Sequence, residues 1–381
     1  MATGMRSTYT QTTNIKRGIA PLIDMIDWVE APLLRLLGVN GGSKFNITDL
    51  GTKIEWQQDT MSPQTDQLAE ALDDSETGVD VDTGTVFRAG HVIKVDDELM
   101  NVVSVSSNTL TVTRGASGST AASHSDDAPV LILGIAKLEG ADAVTGHTTT
   151  TTLPYNYSQI FEEAVKVSRS EQRNPKYGVT DTLSRHIAKL IGGGEGIGTK
   201  GKAGTMAIML EKTFWHGMRA VGSDTVPRTM NGFNAIATTN VTDAGGNPLT
   251  RKMIEDAMQA CYLAGGSPET ILCGAWAQRK MSSFYEKYIT TERSEERGGY
   301  KIKTLETDFG DLEIVFSKHA PTDELSIIEK DKMGWVELRP FDVVDLPSSG
   351  DYDWKDVIGE YSFVCKTETA HARIHSFSTS L

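Results

Sequence analysis

Alternation of apolar and polar positions between Asp356 and His375 predicts a long β-strand near the C-terminal end of the sequence. Aromatic and β-branched residues, which strands favour, occur throughout this stretch. An extended strand so late in the sequence needs a partner from an earlier segment. The two predicted faces consist of Tyr361, Phe363 and Cys365, and of Ser362, Lys366 and Glu368.

The predicted partner is a helix from Tyr155 to Glu171. Its apolar residues fall at helical spacing, so they would form one stripe. Asn156, with Gln159 three residues later, is typical of a capped helix N-terminus. The stripe comprises Tyr157, Ile160, Phe161, Ala164 and Val165.

Two more helical stripes lie on either side of a glycine-rich break at 192–204. We interpret them as one long spine helix that a loop interrupts. The first stripe is Leu183, Ile187, Leu190 and Ile191, and the second is Met206, Met209, Leu210, Phe214 and Met218.

An α+β pattern follows. Thr250 is expected to cap a helix that ends at Gly265-Gly266, and a short strand at 271–273 and a second helix come next. Further strands, predicted to complete this domain, lie near 300–307, 312–317, 325–330 and 334–345.

Residues 79–134 differ in character from their surroundings. Short β-type runs alternate there with polar turns, which predicts a small β-barrel or sandwich. Because helical patterns resume at 156, we interpret this module as an insertion whose two ends return to the same loop.

The N-terminal part has little regular pattern. Residues 1–18 are polar and are expected to be extended, and Pro21 and Pro32 limit the next segment to short helical turns. Two strands are predicted between Lys44 and Gln58.

These segments, in this order, resemble the major capsid proteins of tailed bacteriophages, which have the Hong Kong 97-type capsid fold. The resemblance covers most of the chain and depends on the order of the segments. Its most family-like pieces are Tyr155 to Glu171, Thr307 to Phe316, Leu338 to Pro340, Ser349 to Asp351 and Ile358 to Tyr361.

The resemblance implies an α+β chain with an N-terminal arm, an extended loop, a peripheral domain on a spine helix and an axial domain, here with an all-β insertion. The expected boundaries are 1–45 for the arm, 46–78 and 135–155 for the loop, 79–134 for the insertion, 156–235 for the peripheral domain, 236–345 for the axial domain, and 346–381 for a return to the peripheral domain.

Composition agrees with a soluble globular protein. Of 381 residues, 39% are hydrophobic and 23% are charged, and the sequence has neither a long apolar run nor a secretion signal. We therefore expect no membrane partner. Cys261, Cys273 and Cys365 are odd in number and lie in apolar patterns, so buried thiols are expected rather than disulfides.

The net charge of −14 argues against a basic coat that condenses nucleic acid. Arg6, Lys16 and Arg17 give the first 23 residues a basic character, and a DNA-facing arm is a hypothesis by analogy. An acidic run between Asp66 and Asp82 is interpreted as a solvated face, because it lacks the spacing of a calcium loop.

Two segments resemble catalytic motifs but lack essential parts. The stretch from Gly196 to Lys202 approaches a phosphate-binding loop, yet a helical pattern precedes it and Ala203 replaces the metal-binding hydroxyl. His371 and His375 have zinc-peptidase spacing, but they fall on a predicted strand. We expect no catalytic, cofactor or metal site, and no enzyme.

The resemblance implies a shell subunit that forms hexamers and pentamers around packaged double-stranded DNA in the virion, after assembly in the host cytoplasm. Portal, scaffold, protease and decoration proteins are its expected partners. Because extended arms cannot bury their own apolar residues, inter-subunit contacts are predicted at Trp28, Leu33, Leu36 and Trp56.

Two other functions stay open on the sequence. One is a nucleotide-binding enzyme that uses the loop from Gly196 to Lys202. The other is a decoration or adhesion protein that acts through residues 79–134.

Overall fold

The computed structural model describes residues 31–38, 51–137, 139–140, 148–176, 181–191, 204–284 and 304–379. The chain divides into two compact units. Unit 1 comprises Met1–Trp56 and Pro154–Leu381, and unit 2 comprises Gln57–Leu153. Within the described ranges, every helix is too short or too polar to cross a membrane.

The helices are α1 (Pro32–Leu36), α2 (Arg169–Arg173), α3 (Thr182–Ile191), α4 (Thr205–His216), α5 (Phe233–Ile236), α6 (Arg251–Leu263) and α7 (Ala275–Phe284). The strands are β1 (Lys53–Glu55), β2 (Thr65–Gln67), β3 (Gly78–Asp80), β4 (His91–Val95), β5 (Glu98–Ser106), β6 (Thr109–Thr113), β7 (Pro129–Ile135), β8 (Tyr155–Tyr157), β9 (Gln159–Ser168), β10 (Val241–Asp243), β11 (Thr270–Cys273), β12 (Thr304–Thr307), β13 (Gly310–Phe316), β14 (Leu325–Ile328), β15 (Met333–Leu346), β16 (Tyr352–Cys365) and β17 (Ala372–His375).

The predicted C-terminal strand is present as β16, the central strand of a three-stranded sheet in the order β15-β16-β9. It begins at Tyr352 and ends at Cys365, so it does not run to His375. Thr367, with φ 53°, turns the chain between β16 and β17. From Gly359 onward β16 is buried on both faces, and its two polar residues there, Glu360 and Ser362, are hydrogen-bonded.

The helix predicted from Tyr155 to Glu171 is wrong. The segment forms β8 and β9, and only Arg169–Arg173 is helical. Its predicted partnership with the C-terminal strand is confirmed, because β9 pairs antiparallel with β16 from Ser168 to Gln159. Burial alternates along β9, with Phe161 and Val167 buried and Ile160 exposed. The apolar residues of the predicted stripe therefore lie on both faces of the sheet.

The two spine segments are helical, as predicted, in α3 and α4, and residues 192–203 between them lie outside the described ranges. Met218 lies beyond the end of α4 and is exposed, so it does not belong to the predicted stripe. The core against the three-stranded sheet includes Phe214 and Phe363, whose ring centroids lie 5.2 Å apart. Trp215 and Trp335 are fully buried in the same core.

A six-stranded sheet in the order β10-β17-β14-β11-β13-β12 forms the second part of unit 1. The Thr250 hydroxyl oxygen accepts the amide of Met253 at 3.3 Å, which confirms the predicted cap of α6. Helix α6 ends at Leu263, before Gly265 with φ 79°. A separate core lies between these helices and the sheet, with Ile254, Met258, Cys261, Leu312 and Ile327 at its centre.

One predicted strand of this domain pairs elsewhere. The strand predicted at 334–345 is β15, which joins the three-stranded sheet, whereas β17 from the C-terminal segment joins the six-stranded sheet. Pattern alone could not show this exchange, because the alternation within a strand does not identify the strand that pairs with it.

Unit 2 is an antiparallel six-stranded sheet in the order β2-β7-β4-β5-β6-β3, so residues 79–134 do form β structure. The compact unit extends beyond that range, because β2 pairs with β7 and the side chains of Leu68 and Leu72 lie in the core. Val79, Ile93, Met100, Leu110 and Val130 are fully buried there.

Candidate functional site

The first described residues of unit 1 are buried against α4. Helix α1 places Leu33 and Leu34 in the main core, both without solvent exposure. Leu36 is partly buried and contacts the same core. Leu33, which we predicted as an inter-subunit contact, therefore already has a place within its own chain.

Glu211 lies on α4 beneath this segment and is fully buried. Its Oε1 accepts the hydroxyl of Ser317 at 2.7 Å. Burial raises the pKa of Glu211 to about 7, although the Ser317 hydroxyl and the amides of Leu34 and Leu33 act in the opposite direction. The carboxyl group thus links three segments, α1, α4 and the loop after β13.

Trp56 fills a second position within its own chain. Only 8% of it is exposed, and it packs with Ile54, Val336 and Val364 on the face of the three-stranded sheet opposite α4. Of the four predicted contact residues, Trp28 lies outside the described ranges. Inter-subunit contact stays a prediction for all four, but its premise, that the chain cannot bury them itself, does not hold for Leu33 and Trp56.

Large apolar side chains are exposed instead in the hairpin of residues 218–229, where Ala220 and Thr229 form a β-bridge. Met218, Val221 and Val226 are 77%, 67% and 49% exposed. Beside them is a depression of about 520 Å³ that Tyr157 and Ile160 also line.

The hairpin is held firmly at its base. The Arg228 guanidinium forms an ion pair with Glu360, and its Nε donates to the carbonyl oxygen of Ser158 at 2.8 Å. Asn156, which we predicted as a helix cap, is fully buried here and donates to the carbonyl oxygens of Phe363 and Asn231 at 2.7 and 3.0 Å. The exposed apolar residues therefore sit on a fixed support.

A second exposed apolar cluster lies at the end of α6. Tyr262 and Leu263 are 61% and 76% exposed, and the Tyr262 ring lies 5.6 Å from that of Phe309. Sequence pattern missed both clusters, because exposed apolar residues carry no signal that separates them from core residues.

His371 and the three cysteines are buried in the interior of unit 1. His371 is buried, its Nδ1 accepts the amide of Glu329 at 3.2 Å, and burial lowers its pKa to about 4. Burial also raises the pKa of Cys261 to about 11 and that of Cys273 to about 12, and Cys365 is buried as well, so all three cysteines are unreactive free thiols.

Other candidate residues either lie outside the described ranges or have structural roles. Arg6, Lys16, Arg17 and the loop from Gly196 to Lys202 fall outside. In the acidic run, Asp66 accepts the amide of Thr83 at 2.9 Å. No group of three or more potential ligands in the described residues is arranged to hold a metal ion.

Unit 2 contains a buried charged cluster at one end of β5. The Glu98 carboxylate accepts Nε and Nη2 of Arg114, both at 2.8 Å, and the His124 Nε2 lies 3.1 Å from it. Burial would raise the pKa of Glu98, but these groups and the amides of Gly115 and Ala122 together lower it to about 2. The cluster is fully hydrogen-bonded, so it has a structural role within unit 2.

Comparison with solved structures places this architecture among phage capsids. The chain superposes on the capsid of cyanophage A-1(L) with a TM-score of 0.60 and 10% identity, over 98% of this chain and 100% of that chain. A structure from Mycobacterium phage Adephagia gives 0.52 and 9% over 99% of both chains. The capsid of an empty GTA particle gives 0.51 and 10%, over 96% of this chain and 95% of that chain.

These likenesses show the fold, which is the Hong Kong 97-type capsid fold. A comparison with curated protein sequences gives no match. The family model of the SU10 major capsid protein matches residues 3–378, nearly the whole chain. Nothing in these comparisons supports a nucleotide-binding enzyme or an adhesion protein. The chain therefore belongs to the SU10 major capsid protein family and is a shell-forming structural subunit of a phage virion.

Proposed function

We propose that the chain forms hexamers and pentamers that close an icosahedral shell around double-stranded DNA. The observation that carries this proposal is the exposure of large apolar side chains at two separate places in unit 1, the 218–229 hairpin and the end of α6. Such side chains favour contact with a partner surface over contact with water. Each copy needs at least two partners to cover both places, as a subunit in a closed shell has.

We further infer that the DNA is enclosed without sequence-specific binding, since the net charge of −14 gives the surface little affinity for phosphates. Assembly takes place in the host cytoplasm. Portal, scaffold, protease and decoration proteins are proposed partners, and the chain catalyses no reaction. Trp28 and Leu36 are proposed contacts between copies, and Arg6, Lys16 and Arg17 are proposed to face the packaged DNA.

In this proposal, the three-stranded sheet with α3 and α4 corresponds to the peripheral domain. The six-stranded sheet with α6 and α7 corresponds to the axial domain, so Tyr262 and Leu263 would lie in contacts around the capsomer axis. Unit 2, with residues 79–134 at its centre, belongs to the extended loop and its insertion.

The test is the double variant Val221→Asp/Val226→Asp. Because a charge in an apolar interface is costly to desolvate, we expect the variant subunit to fold and shell formation to fall at least tenfold. Size-exclusion chromatography and negative-stain electron microscopy measure assembly, and circular dichroism measures the fold.

The matched control is Val221→Ile/Val226→Ile, which keeps the apolar surface and should assemble like the wild type. Normal shells from the aspartate variant would show that the hairpin is not part of the interface. A wild-type chain that forms neither rings nor shells, alone or with its phage's head proteins, would contradict the proposed function itself.

A further inference from the structure

A depression of about 450 Å³ lies where α4 ends, and its lining is unusually basic for so acidic a chain. Lys212 and His216 project from the last turns of α4, and Lys318 and His319 come from the loop after β13. No acidic residue from the described parts of the chain lines it. Four potential cations therefore face one concave surface.

The two lysines here differ in their ion pairing from five other lysines of unit 1. Lys53, Lys176, Lys252, Lys330 and Lys355 each form an ion pair with a carboxylate. Within the described ranges, Lys212 and Lys318 form none. The nearest acid in sequence, Glu211, is fully buried and accepts the hydroxyl of Ser317, so it does not line the depression.

The walls of this depression are fixed before any ligand arrives. The Ser317 hydroxyl donates to Glu211 and accepts the amide of His319 at 3.1 Å, so the loop carrying Lys318 and His319 is tied to α4. At the floor, Gly217 donates to the carbonyl oxygen of Thr213 at 2.8 Å. A Cβ at Gly217 would lie 2.6 Å from that oxygen, so only glycine fits at this position.

Convergent ammonium and imidazole groups on a rigid frame suit oxyanions, either carboxylates or phosphates. The net charge of the chain favours carboxylates of another copy over DNA phosphates as the ligand. The sequence has 51 acidic residues against 37 basic ones, so copies that come together in a shell bring an excess of carboxylates. The same excess repels DNA.

We propose that the depression lined by Lys212, His216, Lys318 and His319 is a receptor for carboxylate side chains of a neighbouring copy of this chain. The proposal rests on the shell-forming function of the subunit. The site would offset part of the mutual repulsion of the acidic copies and would hold neighbours in one register.

The test is the double charge reversal Lys212→Glu/Lys318→Glu. Lys137→Glu/Lys280→Glu is the control, because it makes the same charge change at two lysines elsewhere that, within the described ranges, also form no ion pair. Soluble subunits are titrated at one ionic strength with a hexaglutamate peptide and with a DNA duplex. We expect hexaglutamate binding to weaken at least tenfold in the reversal and less than twofold in the control.

Shell formation gives the second measurement. The reversal variant should fold normally by circular dichroism yet assemble at least tenfold less, whereas Lys212→Arg/Lys318→Arg should assemble like the wild type. Shells that form normally but hold less DNA, or a subunit that prefers the duplex to hexaglutamate, would overturn the proposal in favour of a phosphate site. Unchanged assembly and binding would overturn it too, without affecting the shell function of the wild type.

Discussion

A carboxyl group enclosed by the core side chains of α1 and α4 is costly to ionise, and Glu211 is such a group. Burial raises its pKa from an ordinary 4.5 to about 7. The folded chain thus holds a proton that the unfolded chain releases above pH 4.5. Stability from this residue is complete below pH 4.5 and is lost as the pH rises through 7. The difference corresponds to about 3 kcal/mol.

We therefore predict that Glu211→Gln flattens the pH dependence of stability. Glutamine keeps an acceptor for the Ser317 hydroxyl but cannot ionise. Urea unfolding followed by tryptophan fluorescence should show the wild type losing about 3 kcal/mol between pH 4.5 and 8 that the variant keeps.

Glu306→Gln, an exposed substitution on β12, is the control and should follow the wild type. Equal pH dependence in the Glu211 variant and the wild type would show that folding does not raise the pKa of Glu211.

The local role of Thr250 was predictable from the sequence, and the long-range roles of Glu211 and Asn156 were not. The Thr250 cap involves groups three residues apart, so its signal lies within one window. The partner of Glu211 lies 106 residues away, and the Phe363 partner of Asn156 lies 207 residues away. No window contains both groups, so a polar residue that links distant segments looks like any other polar residue.

At the scale of elements, hydrogen bonds of the cluster around Glu98 connect the ends of strands to the turns beside them in unit 2. Arg114 not only pairs with Glu98 but also donates from Nη1 to the carbonyl oxygens of Asp73 and Glu76, at 2.7 and 2.9 Å. The pKa of Glu98, about 2, lies below its ordinary 4.5. Its contribution to stability is thus present above pH 4.5 and is lost as the pH falls toward 2.

Glu98→Gln should destabilise unit 2 by about 3 kcal/mol at neutral pH, because it leaves the buried guanidinium of Arg114 without its counter-charge. The control is Asp97→Asn next to it, whose side chain is fully exposed and which should change stability by less than about 0.5 kcal/mol. Hydrogen exchange on the amides of β5 and β6 measures the loss locally. Equal exchange in the two variants would show that the cluster does not stabilise the sheet.

The error over β9 shows what pattern can and cannot decide about an element. Residues 157, 160, 161, 164 and 165 satisfy helical spacing, while 161, 165 and 167 satisfy strand alternation. What selects the strand is β16, which supplies hydrogen bonds along the whole of β9 from about 190 residues later. By contrast, α4 and α6 carry helical patterns that no strand partner competes for.

For the whole molecule, the order of the segments identified the family. That order was correct even though one segment, Tyr155 to Glu171, was assigned to the wrong type of secondary structure. The limits of the units were less predictable, because β2 and the residues around Leu72 join unit 2 through tertiary contacts with β7 and His124. Their sequence is polar and acidic, and it resembles a loop.

The chain leaves unit 1 at Trp56 and returns at Pro154, and the Trp56 amide donates to the Pro154 carbonyl oxygen at 3.1 Å. Deletion of Gln57–Leu153 with an Asn-Gly turn in its place should therefore leave β1 and β8 paired and unit 1 folded. If unit 2 holds neighbouring copies, shells of the deletion variant should form but dissociate at a lower temperature.

Light scattering during heating measures shell dissociation, and near-UV circular dichroism tests whether unit 1 is folded. Normal shells of unchanged thermal stability would show that unit 2 is dispensable for assembly. An unfolded product would show that unit 1 needs unit 2 to fold.

The position of β16 and β17 in their sheets also bears on the timing of synthesis. β16 lies between β15 and β9, and β17 lies between β10 and β14, so each sheet lacks an internal strand until the ribosome has passed residues 352–375. Such long-range pairing makes folding slow and leaves earlier strands unpaired for a time. Nascent chains on one messenger thus cannot present finished sheets to one another until residue 375 has been synthesised.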